Sequence, residues 1–165
     1  MNGSKQKQHM PAQRLRERDL SIQVNIRGLR SNIGELSNLC HELQPSIIVI
    51  VETFLDAFVE DGADRIDIPG YTLSCRRDRL SKTQGGQSGG GIAVYCLEGV
   101  AIFHDCTFNP VDLELMWLSV TLRTQKVLIA AVYRPPSVNC DVISYLDTTT
   151  LSKLCIQCAI SCPPW

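Results

Sequence analysis

The sequence predicts an α/β fold, and two patterns carry that expectation. Residues 20–51 run as an alternating segment, an amphipathic segment and an unbroken β-branched run, which is the order of a βαβ unit. After residue 70 the pattern changes to short strand-like segments separated by Gly, Asn, Pro or charged residues, as antiparallel neighbours would have. Sheets would then form the interior, with at least one helix packed outside.

The first element is preceded by residues 1–18, which carry Lys5, Lys7, Arg14, Arg16 and Arg18 with almost no apolar content and read as a disordered leader. Leu20, Ile22, Val24 and Ile26 alternate with polar residues, a period-2 strand closed by the turn residue Gly28. Ile33, Leu36, Leu39, Cys40 and Leu43 recur at three- and four-residue steps, so a helix is expected over 31–43 with Ser31 or Asn32 as its cap and Pro45 as its stop. Ile47–Val51 suits a central strand covered on both faces. Tyr71–Arg76, Gly91–Cys96, Val100–Phe103, Glu114–Leu122 and Lys126–Tyr133 read as further strands, and Asn139–Leu146 as the start of another helix. The tail over 148–165 holds Cys155, Cys158 and Cys162 and has no convincing period.

Composition narrows the function classes modestly. A complete globular chain of 165 residues removes roughly 70% of its unfolded surface from water, ample for one core. The formal net charge is −1, so no global basic field announces a nucleic-acid partner, although local cations can still track phosphates. The polar N-terminus has no apolar core of a secretory signal, and no apolar run reaches the ~20 residues of a membrane span. An intracellular, reducing compartment is therefore expected, with the eight cysteines as free thiols and Cys40, Cys75 and Cys96 in the core.

Several residues are candidates for chemistry, each with a plainer reading beside it. Glu52 directly follows the strand Ile47–Val51, and a carboxylate at the C-terminal end of a buried strand faces the mouth where α/β sheets bind ligands. Hard cations such as Mg²⁺ accept one or two carboxylates and keep much of their water. From spacing alone, an ordinary surface carboxylate is the commoner outcome. Asn25 sits near the end of the first strand; if the two strands are parallel neighbours, its amide oxygen could approach Glu52, and otherwise it closes a turn. Tyr133 ends an apolar strand before Arg134-Pro-Pro136, where its hydroxyl could reach a phosphoryl oxygen or simply sit at the rim of the core.

Other motifs carry less. Arg76-Arg-Asp-Arg79 could bind phosphate but reads more commonly as a salt-bridge cluster. Gly85–Gly91 lacks the Gly-Lys-Ser/Thr ending of a phosphate loop and leads into a strand, so it reads as a flexible hairpin approach. The cysteines of the tail lack a fourth zinc ligand, and His9, His41 and His104 form no nucleophile constellation.

Taken in order, these segments are distinctive. Asn25-Ile-Arg-Gly-Leu29 and Pro45-Ser-Ile-Ile-Val-Ile-Val-Glu-Thr-Phe-Leu55 resemble the opening of the endonuclease domain of non-LTR retrotransposons, a branch of the endonuclease/exonuclease/phosphatase (DNase I-like) family. Gly70-Tyr71, Arg76–Arg79, Gly89–Tyr95, Glu114–Leu118 and Ala131–Ser137 resemble the middle sections of the same domain, so the likeness covers about residues 20–147. The resemblance implies a four-layer α/β sandwich, incomplete on its C-terminal side, with residues 19–147 as a partial domain and 148–165 as a divergent tail. It implies Mg²⁺ or Mn²⁺ as cofactor with Glu52 and Asn25 at the metal, Tyr133 at the scissile phosphate, DNA as partner, and a nuclear location. No small-molecule cofactor and no membrane are implied. The family's Gly-Asp-Phe-Asn-like and Ser-Asp-His-like segments do not occur here, so weak activity or none is expected of this chain alone. Two alternatives stand beside this reading: a non-catalytic remnant that binds nucleic acid or a partner, and a phosphatase of the same fold acting on a phosphorylated small molecule or lipid.

Overall fold

A computed structural model of the protein describes residues 21–56, 58–61, 65–78, 89–100, 102–105, 114–122, 125–133 and 156–161. The basic leader, Arg79, Gly85–Ser88, Arg134–Pro136, the expected helix over 139–146, Cys155 and Cys162 lie outside the described residues.

Strand β1 (Ser21–Asn25), helix α1 (Leu29–Leu43) and strand β2 (Ile47–Val51) form the expected βαβ unit, with β1 and β2 parallel and Asn25 opposite Val51. The helix starts earlier than its side chains suggested. Gly28 occupies the cap position at φ 106°, and neither Ser31 nor Asn32 caps the helix. Asn32 instead lies in the first turn and donates from Nδ2 to the carbonyls of Ile26 (2.8 Å) and Gly28 (3.1 Å). Gln44 ends α1 in the left-handed region, its N–H on the Cys40 carbonyl, before Pro45. Leu29, Leu36 and Cys40 form the buried stripe, whereas Leu43 in the last turn is exposed.

The later strands β3 (Tyr71–Arg77), β4 (Ile92–Leu97), β6 (Glu114–Leu122) and β7 (Gln125–Tyr133) lie within one residue of the expected bounds, whereas β5 (Ile102–Asp105) begins two residues later than the expected Val100–Phe103. Their pairing does not follow chain order. β4 inserts between β2 and β3, giving a first sheet ordered β1-β2-β4-β3, and β5 leaves for a second sheet ordered β5-β6-β7-β8. The last strand, β8 (Ile156–Ser161), runs parallel to β7; the tail showed no period from which a strand could be read.

Alternation then sorts the strands' side chains into layers. Ile48, Ile50, Ala93 and Tyr95 face α1 and pack with Leu29, Leu36, Cys40, Ile66 and Ile68. Ile47, Val49, Val51, Ile92 and Val94 face the other way and meet Met116, Leu118, Val120, Ile129 and Ala131 of the second sheet. All five residues of β2 are buried because both of its faces are covered, which is why its sequence shows no alternation. A third buried cluster, Leu115, Trp117, Ala130 and Val132, occupies the opposite face of the second sheet. Cys40, Cys75 and Cys96 are free; burial pushes the Cys40 thiol up to about 11, and burial with the neighbouring Cys96 pushes Cys75 up to about 12. Among the described residues no helix is long and apolar enough to cross a membrane.

Candidate active site

At the C-terminal end of β2 the backbone leaves ordinary geometry. Glu52 (φ 57°) and Phe54 (φ 54°) adopt left-handed conformations, as does Arg27 (φ 48°) just past β1. Such positions cost roughly 1–3 kcal/mol each in residues with a Cβ and concentrate where function holds the backbone in place. The restraint is visible on both sides. Gly28 and Leu29 donate their N–H groups to the Glu52 (2.8 Å) and Thr53 (2.9 Å) carbonyls, and Phe54 donates to the Gly90 carbonyl at 3.0 Å. Gly90 and Gly91 are themselves at φ 84° and 89°, and a Cβ on Gly91 would collide with the Thr53 hydroxyl, so this approach to β4 needs glycine. The described end of the glycine-rich segment is thus a tightly fitted brace for the Glu52 turn.

The fitted turn delivers the Glu52 carboxylate toward the second sheet. There the Tyr133 hydroxyl, at the end of β7, donates to Glu52 Oε1 at 2.7 Å. Asn25 ends β1 beside Val51, one residue before Glu52, on the face of the first sheet turned toward the second. Its Oδ1 is buried and has no hydrogen-bond partner. All three residues singled out from the sequence therefore lie at one end of the two sheets, and two of them touch.

A buried amide oxygen without a donor costs free energy unless something meets it. Together with the neighbouring carboxylate it forms a hard, oxygen-only donor set, the kind that suits Mg²⁺ or Mn²⁺. The residues present fit such a cation in donor type. Among the described residues no group of three or more His, Cys, Asp or Glu, whether hard or soft, is placed to hold a metal ion.

Glu114 is a fourth member of this end of the molecule, and its role was not apparent from the sequence. It opens β6 directly opposite Tyr133, and its Oε2 accepts the Gly91 N–H at 2.7 Å. The signal was present in the strand lengths: two antiparallel strands of nine residues each, paired end to end, set the first residue of one beside the last of the other. The described arginines of the Arg76–Arg79 segment take structural partners. Arg76 Nε pairs with Asp61 at 3.0 Å, its guanidinium reaches Asp78 at 3.6 Å and the Val59 carbonyl, and Arg77 donates to the Leu115 carbonyl at 2.9 Å across the sheets.

No protein-family profile matches the chain, and no curated protein matches it. Solved structures do. An AP endonuclease, LMAP, from Leishmania major is 16% identical with a TM-score of 0.50, over 68% of this chain and 39% of that one. The endonuclease domain of TRAS1, a telomere-specific non-LTR retrotransposon, is 15% identical with a TM-score of 0.46, over 77% of this chain and 48% of that one. An endonuclease/exonuclease/phosphatase family protein from Leptotrichia buccalis C-1013-b is 14% identical with a TM-score of 0.48, over 80% and 63%. The chain spans less than two thirds of the length of each. The likeness to the AP endonuclease defines the fold as DNase I-like, the fold that the residue order had led us to expect.

Proposed function

We propose that this chain carries the metal- and phosphate-binding half of a DNase I-like phosphodiesterase site, built on a four-layer α/β sandwich and directed at DNA, in the manner of the retrotransposon endonucleases its segments resemble. One observation carries the reading: the Tyr133 hydroxyl is held on Glu52 at 2.7 Å while the Asn25 amide oxygen lies buried and unpartnered at the adjoining strand end. Glu52 and Asn25 would hold Mg²⁺ or Mn²⁺, which when bound polarises a phosphoryl oxygen and offsets charge on the leaving oxygen. Tyr133 has one proton to donate. Directed to Glu52 in the free protein, it turns to a non-bridging phosphoryl oxygen when a phosphodiester enters. Full hydrolysis draws on the Asp, Asn and His of the two motifs absent from this sequence, so the chain alone binds metal and DNA more readily than it cuts.

Mn²⁺ titration followed by electron paramagnetic resonance tests the site without requiring turnover. The intact chain should bind Mn²⁺, Glu52→Ala should bind at least about tenfold more weakly, and Tyr133→Phe should retain the metal, since it removes a donor and not a ligand. A chain that binds no Mn²⁺, or a Glu52→Ala variant that binds it as well as the parent, would sink the assignment. Nicking of supercoiled plasmid with Mg²⁺, beside Glu52→Ala, then measures residual activity. Phosphate release from inositol phosphates without nicking would reassign the substrate to a phosphorylated small molecule.

A further inference from the structure

Hydrogen bonds cross between the two sheets at the site, and they run in both directions. Tyr133, on the second sheet, donates its hydroxyl to Glu52 Oε1 at the end of β2, at 2.7 Å. Gly91, at the approach to β4 of the first sheet, donates its N–H to Glu114 Oε2 on the second, also at 2.7 Å. The two partners on the second sheet form one cross-strand pair, because Glu114 lies directly opposite Tyr133 in the β6–β7 ladder. Residues so placed share a face, with their Cβ atoms roughly 4.5–5.5 Å apart. On the first sheet the circuit closes through Thr53, which follows Glu52 in the chain and donates its N–H to the Gly91 carbonyl at 3.4 Å. Glu52, Tyr133, Glu114, Gly91 and Thr53 thus form a ring that spans both sheets.

The two carboxylates of this ring do different things. Glu52 adjoins the strand end where the Asn25 amide oxygen is unpartnered, whereas Glu114 Oε2 is turned onto a backbone amide. A carboxylate that accepts a backbone N–H makes a charge-assisted bond, roughly twice as strong as a neutral one. Gly91 has no side chain to hold its place, so its position is set by what its backbone bonds to. One residue along β6, the Leu115 carbonyl accepts Arg77 Nη1 at 2.9 Å, which fastens the start of β6 to the first sheet a second time. The separation of the sheets at this end also sets the reach of Tyr133 toward Glu52. Hydroxyl hydrogen bonds span about 2.5–3.0 Å, so a shift of about half an ångström takes that contact out of range.

Resting on the phosphodiesterase reading above, we infer that Glu114 is a positioning residue: by holding the Gly91 N–H it keeps the Tyr133 hydroxyl and the Glu52 carboxylate in register across the two sheets. It shapes the metal site through Glu52 and does not itself ligate the metal.

Three substitutions in the full chain separate reach from charge. Glu114→Ala removes both, Glu114→Gln keeps an acceptor oxygen at the same distance without the charge, and Glu114→Asp keeps the charge one methylene short. By electron paramagnetic resonance, Mn²⁺ should bind Glu114→Ala and Glu114→Asp about tenfold more weakly than the parent, the scale of losing a group that orients a ligand. Glu114→Gln should bind within about twofold of the parent. A second readout needs no metal. With 3-fluorotyrosine at the chain's four tyrosines, the fluorine resonance lost in Tyr133→Phe should move in Glu114→Ala toward its position in Glu52→Ala, and should stay at the parent position in Glu114→Gln. If Glu114→Ala unfolds at lower urea but keeps the Mn²⁺ affinity and the Tyr133 resonance of the parent, Glu114 is structural only and the inference is overturned. Weak binding by Glu114→Gln with parent-like binding by Glu114→Asp makes the charge the contribution, and overturns it too. Both of those outcomes leave the phosphodiesterase reading standing, whereas a parent chain that binds no Mn²⁺ overturns both. Should Glu114→Ala fail to fold, the contrast between Glu114→Gln and Glu114→Asp decides the matter alone: equal Mn²⁺ affinities overturn the inference.

Discussion

Asp78 shows how a single group is tuned by the charges gathered around Arg76. Burial raises its pKa above the ordinary 3.8; Arg76 opposes the shift, while the carboxylates of Asp56 and Asp61 add to it. The geometry agrees, since Asp78 Oδ1 is buried without a hydrogen-bond partner and the Arg76 contact is a loose 3.6 Å. An acid with a raised folded pKa binds protons more strongly when folded, so its contribution favours folding at low pH and is lost as pH rises from 3.8 through the raised value. Asp78→Asn should therefore raise the melting temperature at neutral pH, and the gain should vanish as pH falls toward 3.8. Thermal melts of both proteins across that window check this; a constant difference at all pH values would contradict it. Arg76 keeps Asp61 and the Val59 carbonyl in the variant, so the network is not dismantled.

At the scale of elements, the site depends on how β2 ends. Five β-branched residues bring the chain to Glu52 with every side chain buried, and the turn beyond is held by the β1–α1 junction on one side and the Gly90–Gly91 approach to β4 on the other. Gly91 is the most constrained point in this arrangement. Its φ of 89° and its fit against Thr53 require a residue without a side chain, and its N–H is fixed on Glu114. Gly91→Ala should cost about 1–3 kcal/mol of stability by urea unfolding, from the left-handed backbone and the collision together. It should also weaken Mn²⁺ binding, because Thr53 adjoins Glu52 and must move. Gly34→Ala on α1 is the control: nothing stands within 4 Å of its new methyl, and alanine favours a helix by about 1 kcal/mol over glycine. Equal destabilisation by the two substitutions would count against the brace.

The whole molecule is held by the layer that both sheets share. Val49 and Val51 of the first sheet interdigitate with Met116, Leu118 and Ala131 of the second, and the site sits at one end of that layer. The outer face of the second sheet is also dry, with Leu115 and Trp117 no more than 2% exposed. Uncovered faces and a tendency to aggregate would follow from an incomplete sandwich; among the described residues only Leu43, Phe54 and Phe58 are large exposed hydrophobics. Met116→Ala should cost about 2–5 kcal/mol, and unfolding followed by far-ultraviolet circular dichroism and by tryptophan fluorescence should share one midpoint. Separate midpoints would mean that the sheets unfold independently and that the shared layer is weaker than its burial implies.

Much of this protein was legible in its sequence because the relevant signals are local. Periodicity placed β1, α1, β2 and the strands from Tyr71 to Tyr133, since alternation and helical spacing record which faces are buried. The strand ends drew attention to Asn25, Glu52 and Tyr133 as candidates, since α/β sheets commonly bind ligands at their strands' carboxyl ends, and the three residues lie at one end of the two sheets. What the sequence could not determine depends on contacts between distant segments. The insertion of β4 between β2 and β3 rests on hydrogen bonds that any pair of strands can form. The start of α1 was set by Gly28 docking on Glu52, with no side chain to announce it as a cap. The 2.7 Å contact between Glu52 and Tyr133 joins residues 81 apart, and only the packing of one sheet on the other brings them together.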